Sequence, residues 1–232
     1  MHAFRCLCCE RSLARPPVCH DCLLTLVEAP ALCRDCGAPH PRKDDATNAS
    51  PCPRPWLQVP GIAGYQAGYL CVGPGYGLLR RWKKTPSPLL DRLIVEPLRE
   101  RVKSGLAGLE IAAVIPVPQS FTRSWSLGRS PATTLAEHAA RWLRAPLRHA
   151  LEPARRGKLE KRQAELSATE RRERKIRFDV RESELPPFGS SLLLVDDFST
   201  SGTTARAAAR ALAAAGGFNI TLFSLGVRPK LG

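Results

Sequence analysis

The chain has 232 residues, 44% hydrophobic and 24% charged, with a formal net charge of +14. That length suits one medium domain plus a small one, and the composition is that of a globular protein. No apolar run approaches the roughly 18 residues of a membrane span, and the N-terminal MHAFRCLCCE lacks the apolar core of a signal peptide, so a cytoplasmic protein is expected.

The positive charge is uneven. Residues 1–60 hold 7 Lys/Arg against 6 Asp/Glu; residues 80–103 hold 8 against 3, and residues 151–177 hold 10 against 5. The excess belongs to the larger part of the chain, where it favours a polyanion, either nucleic acid or a heavily phosphorylated small molecule. Solvated helix faces would show the same balance.

Eight of the nine cysteines fall within the first 52 residues, a clustering that reads as metal binding, not as disulfides. Three C-x-x-C pairs can be drawn: Cys6/Cys9, Cys19/Cys22 and Cys33/Cys36. Such a turn places two thiolates on one tetrahedral edge, and two turns close a structural Zn²⁺ site. Cys6/Cys9 with Cys19/Cys22 is the simplest pairing; Cys6/Cys9 with Cys33/Cys36 is the crossed one. Cys33, Cys36 and Cys52 could begin a second zinc site whose fourth ligand is missing: either His40 supplies it or the second site has decayed. Cys8 reads as a bystander. Without such staples, a segment this rich in proline and poor in large apolar residues could not fold. Pro51 to Pro60 reads as a linker, giving a cysteine-rich segment over 1–60 and a main domain over 61–232.

In the main domain, Tyr65 to Val72 reads as a strand and Gly73 to Gly75 as a turn. Tyr76 to Lys84 reads as a helix with a basic face, and Pro88 to Ser104 as another, with Leu89, Leu93 and Val102 on one side. Ile111 to Pro118 is an apolar strand ending in prolines, the kind of place where α/β sheets build sites. Pro131 to Leu143 reads as a helix with the stripe Leu135, Ala139 and Trp142. His138 lies on it, and a lone helical histidine is more often a surface or packing residue than a catalyst. Glu152 to Arg177 is a charge-dense arm containing Lys158, Lys161, Arg162, Arg171, Arg172 and Arg174. It is either a solvated helix pair or a flap over an anion. Phe178 to Val180 is expected to return to the sheet, and Asn219 to Val227 to form a terminal strand. Strand–helix alternation from residue 111 onward argues for a parallel α/β sheet.

The chain is organised around Ser191 to Thr204, SLLLVDDFSTSGTT. Leu192 to Val195 read as a short buried strand, followed by Asp196 and Asp197, a turn of hydroxyl residues with Gly202, and an Ala-rich helix to about Ala215. A turn opening a helix aims backbone N–H groups and the positive dipole end outward, which suits a phosphate. Glycine permits close approach, and Thr200, Ser201, Thr203 and Thr204 add hydroxyls. The acids would repel a phosphate but suit hydroxyls or a metal-bound diol. A ligand with a phosphate beside a sugar diol fits both halves. The Walker spacing and its lysine are absent.

This stretch resembles the signature of type I phosphoribosyltransferases, which bind phosphoribosyl pyrophosphate (PRPP). The resemblance implies that Asp196 and Asp197 hold the ribose 2′- and 3′-hydroxyls. Thr200, Ser201, Gly202, Thr203 and Thr204 would then hold the 5′-phosphate, with Mg²⁺ on the pyrophosphate. With the cysteine-rich start, YGLLRRWKK, Ile115 to Pro118, and Gln163 to Ser167 followed by Glu170, Arg171 and Arg172, the whole resembles the ComF family. Those proteins join a zinc segment to a type I phosphoribosyltransferase domain. The family's R-G-F-N-Q-like loop is replaced here by Ser126 to Pro131, where only Gly128 and the nearby Arg123 and Arg129 survive.

The implied fold is a parallel-sheet phosphoribosyltransferase with a small N-terminal zinc segment. The implied chemistry is phosphoribosyl transfer to an unnamed acceptor, and the resemblance identifies no catalytic side chain. Lys83 or an arginine of the 155–177 arm could contact pyrophosphate. The family also implies a part in DNA uptake during natural transformation, with single-stranded DNA or a DNA-uptake helicase as partner. In a DNA-binding accessory protein the PRPP site would be vestigial or regulatory, and Trp56, Trp82 or Trp125 could stack bases.

Overall fold

The computed structural model describes residues 4–13, 18–33, 37, 61–85, 87–118, 130–154 and 176–228. Its centre is β8 (Ser191–Ser199), whose Leu192, Leu193, Leu194 and Val195 are all fully buried. A continuous apolar run of this kind belongs to a strand covered on both faces. β8 pairs in parallel with β9 (Asn219–Val227) on one side and with β5 (Ile111–Pro116) on the other. β9 pairs in parallel with β4 (Ile62–Leu70). The fold is mixed α/β with a mostly parallel central sheet.

Successive side chains of β8 serve opposite faces. Leu193 and Val195 join one core with Leu78, Leu79 and Trp82 of α2 (Gly73–Lys84). Leu192 and Leu194 join a second with Ala205, Ala208, Ala209 and Leu212, from the helix Thr203–Gly216. The alanines let that helix lie close on the sheet, and Gly217, in the left-handed region at φ 59°, ends it. The acids lie within β8 and not beyond it, because backbone pairing with β9 continues to Ser199 opposite Val227.

Gly73 to Gly75, expected as a turn, form the first turn of α2, where a proline near the start is tolerated because its missing N–H has no helical partner. Residues 88–105 are helical but irregular: α3 (Pro88–Leu90), a π turn (Asp91–Val95), a 3₁₀ turn (Glu96–Leu98) and α4 (Arg99–Gly105). The π turn resets the helical phase. The buried row is therefore Leu90, Ile94, Leu98 and Val102, and Leu89, expected in the core, is exposed. α5 (Pro131–Leu143) buries Leu135, Ala139 and Trp142.

Phe178–Val180 (β7) does not return to the central sheet. It pairs antiparallel with β6 (Leu151–Pro153) in a separate ribbon.

At the N-terminus, β1 (Phe4–Arg5) and β2 (Ser12–Leu13) form a short hairpin, and α1 (His20–Leu24) follows. β3 (Val27–Glu28) then joins the central sheet antiparallel to β4, giving the order β3-β4-β9-β8-β5. The cysteine-rich segment is thus hydrogen-bonded to the main sheet. Arg101 of α4 adds bonds to the Glu28 carboxylate and the Ala29 carbonyl. At Gly75 of α2 a Cβ would stand 2.2 Å from the Thr25 carbonyl oxygen. Among the described residues, no helix is long and apolar enough to cross a membrane.

Candidate functional site

The carboxyl end of β8 carries the acid pair into the turn that opens α6 (Thr203–Gly216). Asp197 is buried and its Oδ2 lies 2.6 Å from the Lys83 Nζ of α2. Its Oδ1 accepts the Phe198 N–H at 2.6 Å, and Asp196 Oδ1 accepts the Asp197 N–H at 2.8 Å. Asp196 is half-buried. Burial first, and then the neighbouring Asp197 charge, push its carboxyl up to about 7, against the opposing pull of the Asp197 N–H and Lys83.

Gly202 closes the turn at φ 70°, a conformation that disfavours side chains, and a Cβ there would stand 2.8 Å from Arg206 Nη1. Arg206 is buried in the first turn of α6, directly beneath the turn backbone. Thr200 and Ser201 are exposed, and Gly202, Thr203 and Thr204 are partly so. Ser201 Oγ and Thr203 Oγ1 are 2.9 Å apart, and the Thr203 N–H donates to Ser201 Oγ. The structure therefore brings together the acids, the hydroxyls and an opening helix at one edge of a parallel sheet, the edge where open α/β sheets hold ligands.

An aromatic and basic cluster adjoins the acids. The Phe198 ring meets Tyr76 edge-on at 6.2 Å, and Lys83 Nζ lies 5.2 Å from the Phe198 centroid. Cys71 is buried alongside. Its thiol is pushed up to about 11, by burial first, with Arg228 opposing. Sequence reasoning does not find Arg206 or Arg228 as site residues, because no motif marks an arginine inside an Ala-rich helix or one following a strand.

Two carboxylates flank His138 of α5. His138 Nδ1 is 2.7 Å from Glu96 Oε1, and Nε2 is 3.9 Å from Asp91 Oδ2. Trp82 Nε1 donates to Asp91 at 2.7 Å and Trp142 Nε1 to Glu96 at 3.3 Å. His138 is a buried packing residue. Trp82 is buried as well, so it cannot stack on a nucleic acid. Trp56 and Trp125 lie outside the described residues.

The sulfurs of Cys6, Cys9, Cys19 and Cys22 all lie within 4.8 Å of one another. Cys9 Sγ and Cys19 Sγ are 3.7 Å apart, close to the roughly 3.8 Å edge of a tetrahedron with Zn–S bonds of about 2.3 Å. The N–H groups of Cys8 and Cys19 donate to Cys6 Sγ. Burial alone raises the Cys6 thiol, but backbone N–H groups of Cys9, Cys19 and Cys8 outweigh it and bring the thiol down to about 6. Burial and the neighbouring sulfurs push Cys22 up. A bound cation would reverse that penalty, so the donor set could hold zinc. Cys8 is not among these four sulfurs but packs against them. Cys33 is described and half-buried, whereas Cys36, Cys52 and His40, with most of the 155–177 arm, lie outside the described residues.

No family model matches the sequence, and no curated protein matches it. Solved structures similar to this chain include phosphoribosyltransferases. One is an adenine phosphoribosyltransferase, at 15% identity and a TM-score of 0.42, covering 66% of this chain and 75% of its own. Another is the adenine phosphoribosyltransferase of Saccharomyces cerevisiae, at 16% identity and 0.38, covering 61% and 70%. A third is the purine phosphoribosyltransferase of Pyrococcus horikoshii Ot3, at 13% identity and 0.33, covering 62% and 89%.

Proposed function

We propose that this protein binds PRPP with Mg²⁺ and transfers its phosphoribosyl group, as a ComF-like phosphoribosyltransferase. The carrying observation is that Asp196, Asp197 and the hydroxyl turn stand together at the carboxyl edge of a parallel sheet, with Gly202 left-handed at the mouth of a 14-residue helix. Thr200 to Thr204 takes the 5′-phosphate on backbone N–H groups and hydroxyls. Asp196 and Asp197 accept from the ribose hydroxyls. Their hard carboxylate oxygens also fit Mg²⁺, which when bound neutralises pyrophosphate charge.

Holding the sugar at both ends exposes its anomeric carbon to the acceptor. Pyrophosphate leaves with the C1–O electron pair through an oxocarbenium-like state, the acceptor's lone pair forms the new bond, and the acceptor's proton passes to solvent. Lys83 holds Asp197. The cysteine cluster is a structural zinc site, and thiolate ligation in place of disulfides suits the reducing cytoplasm. A role in DNA uptake rests on the ComF resemblance alone.

The test is calorimetric titration of zinc-loaded protein with PRPP and Mg²⁺, against the variant carrying Asp196→Asn and Asp197→Asn. Micromolar-range binding by the wild type, lost in a folded and zinc-replete double variant, supports the assignment. Equal affinity in both sinks it.

A further inference from the structure

Among the described residues, two arginines at the same edge have no carboxylate to answer them. Arg80, on the exposed side of α2, has its guanidinium carbon 5.9 Å from the Tyr76 centroid. Arg228, the residue after β9, has its own 6.0 Å from the same ring. The Arg228 N–H donates to the Ser199 carbonyl at 3.0 Å, which fixes the residue beside the start of the hydroxyl turn. Both side chains are exposed, and among the described residues neither enters an ion pair. Lys83, another cation at this edge, is committed to Asp197.

Two cations gathered on one ring without a counter-charge repel each other. A guanidinium resting against an aromatic ring is pre-organised, and its N–H fork matches two oxygens of a phosphate or carboxylate. Tyr76 is itself braced edge-on by Phe198, the residue after Asp197, so the platform is built into the acid strand.

We propose that Arg80 and Arg228, seated on Tyr76, form an oxyanion-binding subsite beside Asp197, distinct from the hydroxyl turn. It takes phosphate or carboxylate oxygens of a second anionic group. The identity of that group rests on the PRPP reading: it is the pyrophosphate of PRPP or the carboxylate of an acidic ring acceptor.

The experiment titrates full-length, zinc-loaded protein separately with inorganic pyrophosphate, ribose 5-phosphate and the ring carboxylates nicotinate and orotate. The same titrations use Arg80→Gln and Arg228→Gln, with Arg80→Lys and Arg228→Lys as conservative controls. Each Gln variant is expected to weaken pyrophosphate or carboxylate binding by about tenfold or more, the scale of a lost charge-assisted hydrogen bond. The Lys variants should recover part of it, and ribose 5-phosphate affinity should stay unchanged. Loss confined to pyrophosphate assigns the subsite to PRPP, and loss confined to the carboxylates assigns it to the acceptor. Unchanged affinity for both in folded Gln variants overturns the subsite, as does failure of both to bind the wild type. If ribose 5-phosphate does not bind the wild type while pyrophosphate binding still depends on both arginines, the PRPP reading fails and the subsite stands.

Discussion

Lys83 Nζ stands 2.6 Å from Asp197 Oδ2, with both side chains largely shielded from water. The pair ties the last turn of α2 to the acid end of β8. Trp82, one residue earlier, is pinned to buried Asp91, so α2 cannot rotate about its axis without breaking both bonds. The helix that carries Tyr76 and Arg80 is therefore held in register with the strand that carries the acids.

Breaking this pair from one side leaves a shielded charge unanswered. Lys83→Met is expected to lower unfolding stability by about 3 kcal/mol, and Lys83→Met with Asp197→Asn to recover part of that loss. Urea denaturation of the two single variants and the double one measures the coupling. Additive losses would show that the pair carries no net interaction.

Asp196 gives stability a pH dependence of definite sign. Its carboxyl sits near 7 in the fold, against 3.8 for an aspartate free of the fold, so the folded protein holds the extra proton between those values. Its contribution is fully present below about pH 4 and is lost as pH rises through 7. Asp196→Asn should therefore stabilise the protein at pH 8, on the order of 2 kcal/mol, with the gain shrinking toward pH 4. Denaturation midpoints of both proteins across that range provide the check, and a gain that grows toward acid would contradict it.

Gly75 is where α2 meets the cysteine-rich segment. A Cβ there would lie 2.2 Å from the Thr25 carbonyl oxygen, a backbone atom that cannot swing aside. Gly75→Ala should cost about 1–3 kcal/mol through overpacking. Hydrogen exchange should quicken at Leu24 to Glu28 more than in β8 and β9. Exchange that rises evenly over the chain would argue against local parting at this contact.

The cysteine cluster predicts metal content. Purified protein should carry zinc that Cys22→Ala or Cys6→Ala loses, while Cys8→Ala keeps it. Elemental analysis with protein quantitation decides this. Zinc retained by Cys22→Ala would remove that residue from the ligand set. Loss of metal should also melt β1, β2 and α1, since a site of this kind supplies folding energy to the short elements around it.

The local units of the fold are legible along the chain. SLLLVDDFSTSGTT is a buried strand, an acid pair, a small-residue turn and an Ala-rich helix because apolar run length, turn chemistry and glycine placement act over a few residues. The apolar run Asn219 to Val227 and the stripe Leu135, Ala139 and Trp142 were legible for the same reason. Tertiary structure alone decided which of these units meet. Lys83 reads along the chain as one more cation on a basic face, and the sheet order turns it onto Asp197. Trp82 reads as exposed beside four basic residues, and the Asp91 carboxylate of a π turn draws it inward. Leu89 leaves the core because that turn shifts the helical phase. β7 leaves the central sheet for a partner, β6, that apolar periodicity does not mark. Arg80 and Arg228 come from opposite parts of the chain and share Tyr76 only because β4 and β9 lie side by side. Periodicity and turn chemistry are written locally, whereas contacts between distant residues depend on strand order and on the crossovers that set it.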